Sequence, residues 1–225
     1  MKGILYGIGT GPGDGELMTL KAVRLIKESD IIAVAASSAE SSISYKTALS
    51  VVPEMKNKRV LLLRAPMTGD RARIMSIHTE NARRIESHLD RGENVAFLTL
   101  GDPSIYSTFG YIRDALKADG YETRAASGVA SFSEAAARLG ITLASWDEPV
   151  FIIPAGRAYK LSFDKKGAYV LMKPQKNIGI VKAALKKSGR SVAAVMNCGM
   201  DGETIWLDID DIPDDAGYFT VIIVK

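Results

Sequence analysis

The chain has 225 residues, of which 47% are hydrophobic and 24% are charged, and its formal net charge is +3. This composition is that of a folded globular protein and excludes the apolar-poor, highly charged class of disordered chains. The basic residues are spread along the chain rather than clustered, so we do not predict nucleic-acid binding. The chain contains no uncharged apolar stretch of about twenty residues, so we do not predict a membrane span.

The first half of the chain alternates short apolar runs with helical patterns. Four runs rich in branched residues are predicted as buried strands: 4–8, 30–36, 60–63 and 95–100. Apolar residues recur at helical spacing between them, as in Leu20, Val23 and Ile26, and again within 74–89 and 109–116. Strands that alternate with helices are typical of an α/β fold with a mostly parallel sheet and helices on its faces.

The second half is less regular and has no helix left between its last strands. Further strands are predicted at 150–153, 169–172, 192–196 and 219–224, and helices at 132–139 and 178–185. This arrangement suggests a mixed sheet. A polar joint at 117–120 separates the halves, so we predict two α/β domains, 1–117 and 118–225, with a ligand cleft between them.

A glycine-rich turn follows the first predicted strand, with five glycines in the nine residues 7–15. Its position suggests dinucleotide binding, but the spacing Gly-x-Gly-x-x-Gly fails in every register. Asp14 and Glu16 would also place negative charge where a pyrophosphate binds. The glycines therefore indicate either close approach of another ligand to the backbone or simply a flexible turn.

Two further segments place small residues before a predicted helix. In 98–108 a strand stops at Gly101, so a ligand there would lie at the carboxyl ends of parallel strands. Asp102 has an alternative role as the helix N-cap, with Pro103 as the first helical residue. The residues of 127–132 open an alanine-rich helix, where small side chains permit either close packing or close ligand approach.

Together and in this order, the three segments resemble the tetrapyrrole (corrin/porphyrin) methylase family. The matching loops are 9–13, 101–103 and 128–131. The resemblance spans essentially the whole chain and implies two α/β domains that bind S-adenosylmethionine between them. Within the family, the strings 99–103, 106–108, 65–68 and 217–221 look like those of the branch that methylates C20 of precorrin-2 or its cobalt-containing counterpart in cobalamin biosynthesis. Leu100, where other branches have a second glycine, fits this branch, whereas Ser127 stands where many relatives have proline.

The resemblance also implies the ligands and the residues that contact them. The cofactor would be S-adenosylmethionine, with S-adenosylhomocysteine as its product, and the partner a small tetrapyrrole bound by a homodimer. The implied cofactor-binding residues are Pro12, Leu100, Gly101, Asp102, Ile105, Ala130, Ser131, Met172, Phe219 and Thr220. Met172 has core packing as an alternative role, since it ends a predicted strand.

Methyl transfer from a sulfonium needs no protein nucleophile, because the cofactor delivers the methyl group already activated. We therefore expect the enzyme to position two partners rather than to carry a catalytic triad. Asp102, Tyr106 and Tyr111 are conceivable bases, but the sequence supplies no geometry that favours one of them, so no catalytic residue is assigned.

Arginines are expected near a carboxylate-rich substrate, since the guanidinium group pairs with a carboxylate through two parallel hydrogen bonds. Arg64, Arg71 and Arg73 flank the loop after the third predicted strand and are candidate substrate clamps, or otherwise solvated surface charges. His78 and His88 lie about 80° apart on one predicted helix, so we predict solvated side chains rather than a metal site.

The single cysteine, Cys198, cannot form an internal disulfide, and no signal-peptide pattern is recognised, so we expect a cytoplasmic protein. Several other functions stay open. A protein of the same fold could methylate another corrin position, a diphthine precursor or ribosomal RNA. A nucleotide-linked oxidoreductase and a non-enzymatic tetrapyrrole carrier are alternatives from other classes.

Overall fold

A computed structural model describes residues 1–65, 70–157 and 161–225 of the chain. The contacts between residues divide the chain into two compact units, Met1–Ala130 and Ser131–Lys225. In the described part of the chain, no helix combines the length and the apolar character that a membrane span requires.

The first unit is a five-stranded parallel sheet with helices on both faces. Its strands are β1 (Leu5–Gly9), β2 (Ile31–Ala35), β3 (Arg59–Leu63), β4 (Val95–Thr99) and β5 (Thr123–Ala126). Its helices are α1 (Leu20–Glu28), α2 (Ile43–Val51), α3 (Arg71–Leu89) and α4 (Phe109–Ala118). The strand order is β3-β2-β4-β1-β5, and each pair of neighbours is parallel, as predicted for this half.

The two helical layers cover opposite faces of this sheet. Along β2, Ile32 and Val34 belong to the core under α1 and α2, whereas Ile31 and Ala33 belong to the core under α3 and α4. Successive residues of a strand point to opposite faces, so the two cores lie on the two sides of the sheet.

The loops after β1 and β4 leave the sheet in different directions. The chain passes from β1 toward β2 and from β4 the opposite way, toward β5. Because crossovers between parallel strands are right-handed, the helices that follow these two strands lie on opposite faces. β1 and β4 are neighbours, and open α/β sheets bind ligands at the carboxyl ends of strands at such a switch point.

The second unit is a mixed sheet, as the sequence suggested. Its strands are β6 (Val150–Pro154), β7 (Ala168–Met172), β8 (Val192–Met196), β9 (Thr204–Trp206) and β10 (Thr220–Val224), and its helices are α5 (Ser131–Arg138) and α6 (Ile178–Ser188). The order is β6-β7-β10-β8-β9. β6 and β7 are parallel, whereas β10 is antiparallel to both of its neighbours. One core lies under α5 and another under α6.

The division between the units falls later than the polar joint at 117–120. That joint forms the turn between α4 and β5. β5 pairs with β1 in the register that runs from Leu5↔Thr123 to Ile8↔Ala126. The segment after the joint therefore belongs to the first sheet, and the second unit begins with α5.

Three of these strands and α-helices were not predicted: β5, β9 and α2. β5 is an edge strand in which only Ala126 is buried, and β9 has three residues, so neither has an apolar run. α2 begins in a serine-rich segment of the sequence. The Ser42 hydroxyl accepts a hydrogen bond from the Tyr45 N–H at 3.3 Å, so it caps α2.

Candidate functional site

Three loops of the first unit meet at the carboxyl end of β1. Gly9 lies so close to the other two loops that a Cβ on it would be 2.5 Å from the Gly128 nitrogen and 2.7 Å from the Gly101 oxygen. A Cβ on Gly128 would overlap the same Gly101 oxygen. Packing of backbone against backbone therefore requires glycine at both positions, and the loops after β1, β4 and β5 are held in contact.

Backbone hydrogen bonds join the loop after β1 to the loop after β4. The Thr10 N–H donates to the Thr99 carbonyl at 3.0 Å, and the Gly101 N–H donates to the Gly11 carbonyl at 2.7 Å. Gly11 and Gly101 have φ values of 73° and 74°, the left-handed region that glycine adopts readily. Among the described residues, no atom lies within 4 Å of a Cβ built on Gly101, so the backbone there faces open space.

The Asp102 carboxylate joins the loop after β4 to the loop after β5 by hydrogen bonding. Its Oδ2 accepts from the Gly128 N–H at 3.0 Å, and its Oδ1 accepts from the Ser104 N–H at 2.8 Å and from the Ser104 hydroxyl. The alternative role of Asp102 as the cap of the following helix is wrong, because α4 begins only at Phe109. The N–H of Phe109 is instead bound by the Ser107 hydroxyl at 3.1 Å.

The structure brings together the first-unit residues that the resemblance implied for the cofactor. Pro12 follows the Gly11–Gly101 bridge, and Leu100 precedes it. The Ile105 N–H donates to the Asp102 carbonyl at 3.2 Å, so Ile105 ends the turn that Asp102 begins. Ala130 closes the first unit in the loop that contains Gly128.

Three of the four implied cofactor residues of the second unit, Met172, Phe219 and Thr220, lie together where β7 ends and β10 begins. Met172 ends β7 and pairs with Val221 of β10, beside Thr220, the first residue of that strand. The buried Thr220 hydroxyl donates to the Gly217 carbonyl at 2.7 Å, and the Phe219 carbonyl accepts from the Asn197 N–H at 3.2 Å. Met172 also packs against the α5 core, so core packing is part of its role. Ser131 is the first residue of α5, which packs against β8 and β10.

Arg64 is held in place at the end of β3. Its backbone N–H donates to the Asn81 side-chain oxygen at 3.0 Å, and the Asn81 amide donates back to the Arg64 carbonyl at 2.8 Å. Its guanidinium donates to the Glu80 carboxylate at 2.9 Å. Asn81 is completely buried, and no sequence pattern indicated this role.

Arg71 and Arg73 are exposed in the first turn of α3, which the Asp70 carboxylate caps. A positive charge at a helix N-terminus costs about 0.3–1 kcal/mol, so helix stability does not explain these arginines. Of the string 65–68 that entered the resemblance, residues 66–68 lie outside the described residues.

His78 is not solvated, contrary to the prediction. Its side chain lies in the buried stripe of α3, and its ring stacks on Tyr111 of α4 with centroids 4.9 Å apart. Burial lowers the pKa of His78. The pattern of Asn81, Ala82 and Ile85, three, four and seven residues further along, places His78 on the apolar stripe and could have revealed this burial.

His88 is half-buried and lies in an ionic cluster rather than in free solvent. Its Nδ1 is 2.6 Å from the Glu93 carboxylate. Hydrogen bonds from Arg59, then from His88 and Arg91, lower the pKa of Glu93 to about 2. Among the described residues, the structure contains no group of three or more histidine, cysteine or acidic side chains that could hold a metal ion.

Four non-glycine residues of the described chain have left-handed backbone: Tyr106, Trp146, Lys173 and Asn197. Tyr106 follows the turn at Asp102, whereas Lys173 and Asn197 directly follow β7 and β8. No sequence pattern predicted the left-handed conformation of these residues, because tertiary contacts set the backbone angle.

The model of the family described as Tetrapyrrole (Corrin/Porphyrin) Methylases matches residues 4–213 of the chain. The chain is 33% identical over 226 residues to a protein of Methanocaldococcus jannaschii named "Probable cobalt-precorrin-2 C(20)-methyltransferase", covering 98% of this chain and 95% of the relative. It is 28% identical over 235 residues to the cobalt-precorrin-2 C(20)-methyltransferase of Salmonella typhimurium, covering 100% of this chain and 97% of that relative. The solved structure of uroporphyrin-III C-methyl transferase from Thermus thermophilus complexed with S-adenosyl homocysteine has the same fold, with a TM-score of 0.72 and 18% identity. The match covers 99% of this chain and 92% of that structure.

Proposed function

Because the chain belongs to the tetrapyrrole (corrin/porphyrin) methylase family, we propose that it transfers the methyl group of S-adenosylmethionine to C20 of precorrin-2 or of its cobalt-containing counterpart, in cobalamin biosynthesis. The observation that carries this proposal is the 33% identity, over 98% of the chain, to a relative named for that position. The fold by itself does not select the methylated carbon, since a structure named for a different tetrapyrrole has the same fold at 18% identity.

The proposed cofactor site in the first unit comprises Pro12, Leu100, Gly101, Asp102, Ile105 and Ala130. It lies at the switch point between β1 and β4, where open α/β sheets bind ligands. Gly101 presents a left-handed backbone toward open space, which permits a ligand to approach its peptide groups. In the second unit, the proposal adds Ser131, Met172, Phe219 and Thr220.

The residues present fit a positioning role. S-adenosylmethionine, when bound, supplies a methyl group that needs no further activation, so the protein's task is to align donor and acceptor and to exclude water. The Gly9, Gly101 and Gly128 contacts fix three loops without flexible side chains. The Asp102 carboxylate supports these loops through its hydrogen bonds to Ser104 and Gly128.

We propose Arg64, Arg71 and Arg73 as the residues that bind substrate carboxylates. Arg64 and the start of α3 follow β3 at the same carboxyl edge of the first sheet as the glycine loops. In the described part of the chain, the Arg64 guanidinium is shared with Glu80, whereas Arg71 and Arg73 have no ion pair. A carboxylate ligand would therefore find Arg71 and Arg73 available and would compete with Glu80 for Arg64.

The test is direct incubation of the protein with S-adenosylmethionine and either precorrin-2 or cobalt-factor II. Mass spectrometry is expected to show the gain of one methyl group, and NMR of product made with ¹³C-labelled cofactor is expected to place it on C20. Comparison of the two acceptors determines whether cobalt is required. A labelled carbon at another ring position, or no transfer to either acceptor, would refute the proposal.

The proposal also includes a homodimer in the cytoplasm with a small-molecule tetrapyrrole as its ligand. The resemblance to the family supports the dimer, and the single cysteine is compatible with a reducing compartment. Sedimentation at micromolar concentration is expected to give twice the mass of the chain, and cell fractionation is expected to recover the protein with the cytoplasmic enzymes.

A further inference from the structure

The peptide group between Ser127 and Gly128 is held at both of its polar atoms by side chains of the first unit. Its carbonyl, on Ser127, accepts a hydrogen bond from the Thr19 hydroxyl at 3.2 Å. Its N–H, on Gly128, donates to the Asp102 carboxylate at 3.0 Å. Thr19 directly precedes α1, whereas Asp102 lies in the loop after β4. Side chains from two different loops therefore hold one peptide group from opposite sides.

Backbone packing leaves this peptide little room to move. A Cβ built on Gly128 would lie 2.2 Å from the Gly101 oxygen and 2.9 Å from the Gly9 Cα, so two other loops are in direct contact with the peptide. A peptide group is planar, and its carbonyl and N–H point in opposite directions. Hydrogen bonds at both of these groups therefore fix the orientation of the plane and the direction in which the chain continues.

The chain continues from this peptide directly to two proposed cofactor residues. Ala130 is the last residue of the first unit, two positions after Gly128, and Ser131 is the first residue of α5. With a single residue between Gly128 and Ala130, a rotation of the held peptide would displace Ala130. The bonds to the peptide thus set the position of residues that we propose to contact the cofactor.

The Thr19 hydroxyl has two separable tasks. Its oxygen accepts from the Ala22 N–H at 3.2 Å and so caps α1, while its hydrogen is donated to the Ser127 carbonyl. A hydroxyl has one donor hydrogen and two acceptor lone pairs, so both bonds form together. An aspartate would cap the helix as well, but an ionised carboxylate has no hydrogen to donate to Ser127.

We propose that Thr19 is a positioning residue for the cofactor, because it fixes the Ser127–Gly128 peptide that determines where Ala130 lies. The inference rests on the proposed function, in which S-adenosylmethionine contacts Ala130. No covalent step involves Thr19, which acts through the Ser127 carbonyl. Ser127 is exposed, so water can replace the lost donor and the expected effect on binding is moderate.

The experiment compares three variants of Thr19 by three measurements that need no turnover. Thr19→Val keeps the shape and removes both bonds, Thr19→Asp keeps only the helix cap, and Thr19→Ser keeps both bonds. Calorimetry gives the dissociation constant of S-adenosylhomocysteine, and thermal unfolding gives Tm. NMR gives the exchange rate of the Gly128 amide hydrogen relative to the amides of β1.

Lys58→Met is the matched control, because it weakens the other end of the same helix. The Lys58 ammonium donates to the Lys27 carbonyl at 2.9 Å and to the Ser29 carbonyl at 2.6 Å, at the end of α1. Its loss should lower Tm and leave both the dissociation constant and the relative exchange rate of Gly128 as in the wild type.

Thr19→Val is expected to lower Tm, to speed the exchange of Gly128 and to weaken S-adenosylhomocysteine by about threefold to tenfold, the effect of losing one hydrogen bond between uncharged groups. Thr19→Asp is expected to keep the wild-type Tm but to share the faster exchange and the weaker binding. Thr19→Ser is expected to restore all three values.

The inference is overturned if Thr19→Asp binds S-adenosylhomocysteine like the wild type, since Thr19 would then only cap a helix. It is also overturned if Lys58→Met weakens the ligand as much as Thr19→Val, since the loss would then follow from helix stability. Failure of the wild type to bind S-adenosylhomocysteine would count against the proposed function, while the exchange of Gly128 would still show whether Thr19 holds the peptide.

Discussion

Replacing Asp102 with alanine should separate the loop after β4 from the loop after β5. The substitution removes the acceptors of the Gly128 N–H, at 3.0 Å, and of both Ser104 donors. The Ser104 donors are exposed and can bond to water instead, but the Gly128 contact is partly buried. Loss of that charge-assisted hydrogen bond should cost about 1.5–3 kcal/mol of folding free energy, which for a chain of this size lowers Tm by about 3–12 °C.

The same substitution should weaken S-adenosylhomocysteine at least about tenfold, because the loops it joins are the proposed cofactor site. Calorimetric titration measures the affinity, and thermal unfolding measures the stability. Asp208→Ala is a matched control: Asp208 accepts from the Asp210 N–H at 2.8 Å in a local turn and joins no separate loops, so its removal should change stability by less than about 0.5 kcal/mol. An Asp102→Ala protein with wild-type affinity and wild-type Tm would refute the loop-fastening role.

Three other predictions follow from the described contacts. Gly128→Ala should destabilise the first unit and abolish S-adenosylhomocysteine binding in calorimetry, because the added Cβ would overlap backbone atoms of the neighbouring loops. Gly110→Ala is the control, since a Cβ there has no described atom within 4 Å. This control should bind like the wild type, and its free energy of unfolding should rise by up to about 1 kcal/mol because alanine favours the helix. Asn81→Leu should leave the Arg64 backbone groups unpaired and so weaken acceptor binding, whereas the affinity for S-adenosylhomocysteine should stay as in the wild type. Burial lowers the pKa of His78, so the unfolded chain binds the proton more readily than the folded chain. The free energy of unfolding should therefore fall as the pH drops below the unfolded pKa of about 6.5. Between pH 7.5 and 5.5, the urea midpoint of His78→Gln should fall less than that of the wild type.

The predictable part of the fold is the part buried on both faces. Every residue of Leu5–Gly9 is buried, and such strands are near-continuous apolar runs, which sequence patterns detect. Thr123–Ala126 lies at the edge of the same sheet with one buried residue, so its strand character comes from pairing with β1 rather than from its own composition. α2 was missed for a related reason, because serines that satisfy a helix end resemble a polar loop.

The candidate site was predictable where glycine is required and not where a partner is distant in sequence. Glycines after β1 and β4 could be associated with close approach, and the structure shows that Gly9 and Gly101 are in contact with Gly128. The loop-fastening role of Asp102 depends on Gly128, and the role of Asn81 depends on Arg64. The left-handed conformation of Lys173 depends on tertiary packing against Gly156, which no local pattern encodes.

The three residues considered as bases differ in their surroundings. The oxygens of Asp102 already accept from Ser104 and Gly128, so taking a proton from an acceptor would break the contact that joins two loops. Burial raises the pKa of Tyr106, so its hydroxyl keeps its proton and is suited to donate a hydrogen bond rather than to act as a base. Tyr111 stacks on His78 in the packing of α3 against α4. Because the methyl group arrives already activated, these surroundings favour alignment of the partners as the protein's main contribution. The proton that the acceptor loses would then pass to solvent or to another atom of the acceptor itself.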